Sequence, residues 1–313
     1  MEQASSLIIE RFKRLPQRSA ERWQGGLVRL PSWVDGGPGG QPYRPWGALW
    51  VSAASGMVHF KIPSEPGVPD WSLALETLLE FGLKRNLAGC RPGSLEVRDE
   101  DLGARLRDAL GDRELSITVS PDLPAVRQVL AEMARGMEGR PLPPGALEAP
   151  GVTVDRMQAF AKAAKRFYEA APWQHLTDED LISIEAPQAQ TGLQHVTVLG
   201  AGGQTYGLGF FHSADEHDAL LGGMAPETFL GSAPWSVWFG AISEMPFGDV
   251  DLWEDHDLPV AGGNAYPVAI RVESDEETRR PDAGTLAYLE GLLRALAETT
   301  EDEIDQGRWA CRV

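Results

Sequence analysis

Midway along the chain, residues 138–151 read EGRPLPPGALEAPG, with four prolines and three glycines in fourteen positions. Proline removes a backbone donor and fixes φ, glycine loosens the chain, and together they interrupt helical periodicity and leave little to bury. The run therefore reads as a linker between two domains, with 139–151 as its body. It cuts a chain of 313 residues, long for one compact domain, into two pieces of ordinary domain size. A second Gly/Pro cluster at 35–42 sets residues 1–42 apart as a basic N-terminal helix and loop, so that 43–138 and 152–313 are the expected folded domains.

The two pieces differ in charge. Residues 1–150 carry 18 basic and 19 acidic side chains, whereas 151–313 carry 10 basic and 27 acidic, which places almost all of the formal charge of −18 in the second piece. From Phe167 to Ile270 there is no Lys or Arg, against 15 Asp and Glu. Such a segment repels nucleic acid and anionic membrane, because neutralising phosphates takes clustered cations. It is suited to solvated loops or to an acidic docking face. The N-terminal stretch is the opposite, with Arg11, Lys13, Arg14, Arg18, Arg22 and Arg29 against Glu10 and Glu21, and reads as an amphipathic helix with Leu7, Ile8, Phe12 and Leu15 inward, or as an arm lying on the acidic half. The opening Met1-Glu2-Gln3 has no basic signal-type region, and no apolar run is long enough to span a bilayer. Cys90 and Cys311 form no CxxC and no disulfide framework, so a reducing, cytoplasmic setting is expected.

Hydrophobic periodicity predicts the elements. In the first domain, 46–52 and 57–62 read as a hairpin, followed by a helix over 70–84, a strand over 93–97, a helix capped by Asp99, a strand over 115–119 and a helix starting at Pro124. Short strands alternating with helices predict an α/β domain whose later strands are parallel. In the second, Thr153 caps a helix with the stripe Met157, Phe160, Ala161, Ala164, Phe167, and strand-like runs follow at 181–185, 195–199, 206–211, 235–242 and 267–272, with helices over 214–221 and 282–298. Neighbouring strands joined by short turns predict an α+β domain with an antiparallel sheet.

Few residues suggest chemistry. The run VLGAGGQTYGLG at 198–209 has two glycines of a dinucleotide fingerprint, but Thr205 stands in the third position and a strand follows, which makes it a glycine-rich hairpin turn. His212 and His217, with Asp215, Glu216 and Asp218, are ligand-competent, yet i and i+5 diverge by about 140° on a helix, and Ser213 with Glu216 forms a capping box. Glu254, Asp255, His256 and Asp257 read as an acidic loop with oxygen ligands at alternating positions. Thr177 is expected to cap a helix whose first turn holds Asp178, Glu179 and Asp180, and these three with Trp173 are the candidate partner-binding residues. The sequence has no GxSxG, no HExxH and no Cys paired with a nearby His, so neither a cofactor nor a catalytic residue is expected.

The hairpin followed by α, β, α, β, α resembles the ribonuclease H-like fold of retroviral integrases and transposases, with residues 95–124 similar to the stretch where a strand delivers a carboxylate into a helix. The resemblance implies Asp99 as a metal ligand and a partner carboxylate on the first strand. Residues 43–63, read as the first strands, hold no Asp or Glu, which implies a degenerate site. The chain as a whole resembles a family of bacterial two-domain proteins of unknown function, on Tyr43-Arg44-Pro45, Arg91-Pro92 and Leu123-Pro124 in the first domain and on Ala171-Pro172-Trp173 and Leu176-Thr177-Asp178-Glu179-Asp180 in the second.

The function expected is a non-catalytic binding or regulatory protein that takes a protein or small-molecule partner on an acidic face or in an interdomain groove. The rival expectation is a metal-dependent phosphodiesterase or nuclease with Asp99 as ligand. Neither nucleic acid nor membrane is an expected partner. A mobility-shift assay with random duplex at about 0.15 M salt is expected to show no binding below about 10⁻⁶ M, and a sub-micromolar affinity would contradict the charge argument.

Overall fold

The computed structural model describes residues 2–37, 40, 42–64, 67–111, 114–138, 143–185, 192–223, 234–273 and 278–307. The chain divides into two compact units, Met1–Arg140 and Pro141–Val313, with the break inside the Pro/Gly run. Among the described residues no helix is long and apolar enough to cross a membrane.

The first unit is a mixed α/β layer. Its elements are α1 (Glu2–Lys13), β1 (Gln17–Arg29), β2 (Trp46–Ser52), β3 (Val58–Lys61), α2 (Trp71–Leu83), β4 (Arg91–Val97), α3 (Glu100–Leu110), β5 (Ser116–Val119) and α4 (Pro124–Glu138). The sheet runs β3-β2-β1-β4-β5. β1 is antiparallel to β2 and parallel to β4, and β4 is parallel to β5. The hairpin and the α, β, α, β, α series lie where the periodicity predicts them. Asp70 and Asp99 cap α2 and α3, and Gly111 ends α3 in the left-handed region.

Residues 17–29 correct the expected N-terminal helix and loop, because they form the central strand of the sheet. Gly25 and Gly26 look like a chain break, but here glycine is a packing requirement. A Cβ on Gly25 would stand 2.1 Å from the Leu49 carbonyl oxygen and 2.7 Å from the Trp50 ring. Around this close approach Trp23 and Trp50 are both fully buried. Trp23 packs on Phe81 at 4.5 Å between ring centroids, and the Trp50 indole donates to the Ala74 carbonyl at 2.9 Å. Only the end of α1 behaves as expected: Phe12 enters this core, whereas Leu7 and Ile8 are exposed.

The second unit is α+β. It contains α5 (Val154–Ala170), β6 (Ile182–Ser183), β7 (His195–Leu199), β8 (Tyr206–Phe211), α6 (Ala214–Leu221), β9 (Ser236–Gly240), α7 (Phe247–His256), β10 (Tyr266–Val272), β11 (Thr278–Arg279), α8 (Ala283–Glu298) and α9 (Glu301–Asp305). The strands order as β11-β10-β9-β8-β7-β6, every neighbour antiparallel. Met157, Phe160, Ala161, Ala164 and Phe167 on α5 are buried, as their spacing predicts, and Phe167 stacks on Phe239 of β9 at 5.8 Å. On α8, Leu286, Leu289 and Leu293 are buried in turn.

On the first unit, Glu80 of α2 gathers His59 at 3.2 Å, Lys61 at 2.9 Å and Lys84 at 2.7 Å. Desolvation pushes its carboxyl up, but the hydrogen bonds from Lys84, Lys61 and His59 outweigh this and lower it from 4.5 to about 2. A depressed folded value contributes stability that is fully present above the unfolded value and fades as pH falls towards the folded one. Glu80→Gln is therefore expected to cost about 1 to 2 kcal/mol near pH 7, after allowing for solvent screening, and much less near pH 3. Urea unfolding at the two pH values checks this, and an equal deficit at both would contradict it.

Candidate functional site

The resemblance points first to the ends of β1 and β4. Asp99, two residues past β4, uses its carboxylate as a cap, accepting the Leu102 amide at 2.6 Å. The carboxylate sought on 43–63 has to be sought on β1 instead, since β1 is the first strand, and β1 does carry one in Glu21. Its Oε2 accepts from the Trp23 indole at 3.2 Å and from the Ser52 hydroxyl at 2.7 Å. The polar centre between the two strands is Gln24, 1% exposed, opposite Glu96 in the ladder. The Gln24 amide donates to Glu96 Oε2 at 2.7 Å and accepts from the Ala125 N–H, at the start of α4, at 2.7 Å. Arg22 Nε lies 3.4 Å from the other Glu96 oxygen. Among the described residues no group of three His, Cys, Asp or Glu side chains is placed to hold a metal ion.

The acidic and histidine clusters lie in the second unit. The cap forms as read, with Ser213 Oγ accepting the Glu216 amide at 3.2 Å, but the return bond of the box is shifted by one residue, since Glu216 accepts the His212 amide at 2.5 Å and not that of Ser213. His217 turns inward, 3% exposed, with its Nε2 3.0 Å from the Asp178 carbonyl oxygen, its Nδ1 3.4 Å from Asp218 and its ring against Phe211. His212 is exposed. Glu254, Asp255 and His256 correct the loop reading, since they form the end of α7, with Asp257 as its left-handed C-cap.

Asp178, Glu179 and Asp180 do not open a helix. The Asp180 carboxylate folds back to accept the Thr177 amide at 2.8 Å and hydroxyl at 2.9 Å, which closes a turn, and the chain enters β6 at Ile182. The macrodipole argument for this triplet accordingly falls away. The bond from His217 holds the turn beside α6, and Asp178, Glu179, Asp180, Asp215 and Asp218 are all exposed. Trp173 sits elsewhere in contact terms, in an aromatic cluster with Phe167, Tyr168 and Tyr206 at 4.8 to 5.7 Å. Gly200, at φ +146, lies against it so closely that a Cβ would fall 2.5 Å from the indole. That contact, and the β7–β8 ladder on either side, gives the glycine-rich run its role as a hairpin turn.

One centre has no counterpart in the sequence reading. Asp249 of α7, fully buried, receives the Ala146 amide at 2.7 Å and Arg280 Nη2 at 2.5 Å. Burial pushes the Asp249 carboxyl up, against the pull of Arg280 and of the Ala146 N–H. Arg280 also lines a cavity of about 360 Å³ together with Glu148, Trp235, Arg271, Arg279 and Thr285. The signal was present: after more than a hundred residues without a cation, Arg271, Arg279 and Arg280 follow in quick succession.

Residues 8–134 match the model of a domain of unknown function, DUF6930, and residues 158–268 match that of a second, DUF7309. The DUF6930 match begins well before residue 43, in accord with the place of β1 in the sheet. No curated protein and no solved structure matches the chain.

Replacing Gln24 by Leu is expected to leave the Ala125 amide and Glu96 Oε2 without this partner, at a loss of about 1 to 3 kcal/mol. Chemical denaturation of the variant checks it, and an unchanged midpoint would show that the polar centre is not structural.

Proposed function

We propose that the chain is a non-catalytic binding or regulatory protein of the cytoplasm, in which a ribonuclease H-like DUF6930 domain is joined to a DUF7309 domain that presents an acidic recognition face to a protein partner. The strand directions, three antiparallel strands and then two parallel to the first, support the ribonuclease H-like reading. The bonding of the candidate carboxylates supports the non-catalytic one, because Glu21 on β1 is held by Trp23 and Ser52 and Asp99 by the Leu102 amide. Cys90, a buried free thiol, suits a reducing compartment.

The observation that carries the binding reading is the His217–Asp178 hydrogen bond, which ties together two acidic segments distant in sequence whose carboxylates are exposed. A cluster of like charges gives no stability to the fold and raises encounter rates with a basic partner. The combined variant Asp178→Asn, Glu179→Gln, Asp215→Asn and Asp218→Asn tests it. Affinity capture from the native host should recover partners with the parent chain and lose them with the variant, at an unchanged melting temperature. Retention of every partner by the variant would overturn the proposal.

A further inference from the structure

The cavity beside Arg280 has the donors of an anion site inside the most acidic part of the chain. Its size, about 360 Å³, is within the range of roughly 300 to 1,000 Å³ usual for small-molecule pockets. Arg280 is 8% exposed, and of its three guanidinium nitrogens only Nη2 is engaged, by Asp249. Nε and Nη1 have no hydrogen-bond partner among the described residues. A buried donor without an acceptor is costly, and for a charged group more so, which makes the empty valences of Arg280 an exception that calls for a ligand or ordered water.

The rest of the wall is matched to an oxyanion. The guanidinium of Arg271 lies 5.2 Å over the Trp235 ring, which holds a cation against a flat apolar surface. Thr285 and the first turn of α8 also face the cavity, and a helix start favours negative charge. Three guanidinium groups, of Arg271, Arg279 and Arg280, and two carboxylates share the lining. Glu148 accepts the Gly145 amide at 2.8 Å, and Asp282, the α8 cap, accepts the Thr285 amide at 2.8 Å. Glu273, outside the lining, pairs with Arg271 at 2.6 Å and with Arg279 at 3.2 Å.

We propose that this cavity of the DUF7309 unit binds a small molecule bearing a phosphate or carboxylate group, with the oxyanion at Arg280 and Arg271 and the remainder of the ligand along Trp235. The planar guanidinium fork suits either oxyanion. The inference goes beyond the acidic-face reading and does not depend on it.

The test uses the full chain, with calorimetry and thermal melting against inorganic phosphate and against citrate, each compared with sodium chloride at matched ionic strength. A saturable heat and a saturable rise in melting temperature are expected with at least one of the two anions, and which one responds assigns the ligand to phosphates or to carboxylates. Arg271→Gln should weaken that response at least about tenfold, and Arg280→Lys, which keeps a cation beside Asp249, should abolish it. Should Arg280→Lys fail to fold, Arg271→Gln decides alone. The acidic-face variant should bind the anion like the parent, which separates failure of this site from failure of the face. No saturable response to either anion up to roughly 10 mM, or a response unchanged by Arg271→Gln, would overturn the proposal.

Discussion

The second unit depends on the buried ion pair between Asp249 and Arg280. Neither side chain reaches solvent to any useful extent, at 0% and 3% exposure, so each has given up its hydration and has the other as replacement. Such a pair adds little net stability over an apolar one, yet removing one member strands a buried charge at a loss of about 3 to 5 kcal/mol. Here the pair also fixes positions. Asp249 is on α7, Arg280 lies between β11 and α8, and the second carboxylate oxygen takes the Ala146 amide, inside the Pro/Gly run that the sequence presents as a linker. Three pieces of chain that are far apart in sequence are held at one point, and the cavity opens beside it.

A steric constraint serves the first unit in the same way. β1 passes so close to β2 at Gly25 that no side chain fits, and this closeness lets Trp23 and Trp50 fill the core on either side of it. On the strand's other face Gln24 joins Glu96 and the start of α4, which fixes the last helix to the middle of the sheet. In both units, then, a buried polar contact sets the geometry while apolar burial supplies the driving force.

What was legible in the sequence follows from these contacts. Elements with a regular apolar stripe and a local cap, such as α2 with Asp70, α3 with Asp99 and α5 with Thr153, are readable because every determinant is within a few residues. β1 was not, because Arg18, Glu21, Arg22 and the Gly25-Gly26 pair carry the local signs of a solvated segment, and the reason for glycine is a carbonyl on another strand. α7 was hidden in a similar manner: it starts on Pro246 without a side-chain cap and ends in acidic residues that resemble a loop. The turn at Asp178 looked like a helix start because Thr177 does accept a local amide, that of Glu179 at 3.3 Å, but the backbone closes a single turn, Asp180 N–H to the Thr177 carbonyl at 3.1 Å, and the chain then enters β6 at Ile182. Of the candidate site, the acidic residues were visible and their assembly through His217 was not, and the cavity at Arg280 rests wholly on contacts between segments distant in sequence.

The most direct test of the account is amide hydrogen exchange, read by mass spectrometry, on the full chain carrying Asp249→Asn. The substitution keeps the shape of the side chain and strands the Arg280 charge. The account predicts faster exchange at residues 143–150, in α7 and in the first turns of α8, with the amides of β1, β2 and α2 in the first unit unchanged. Unaltered protection around Ala146 and α8 would contradict the claim that the Asp249–Arg280 pair organises the second unit.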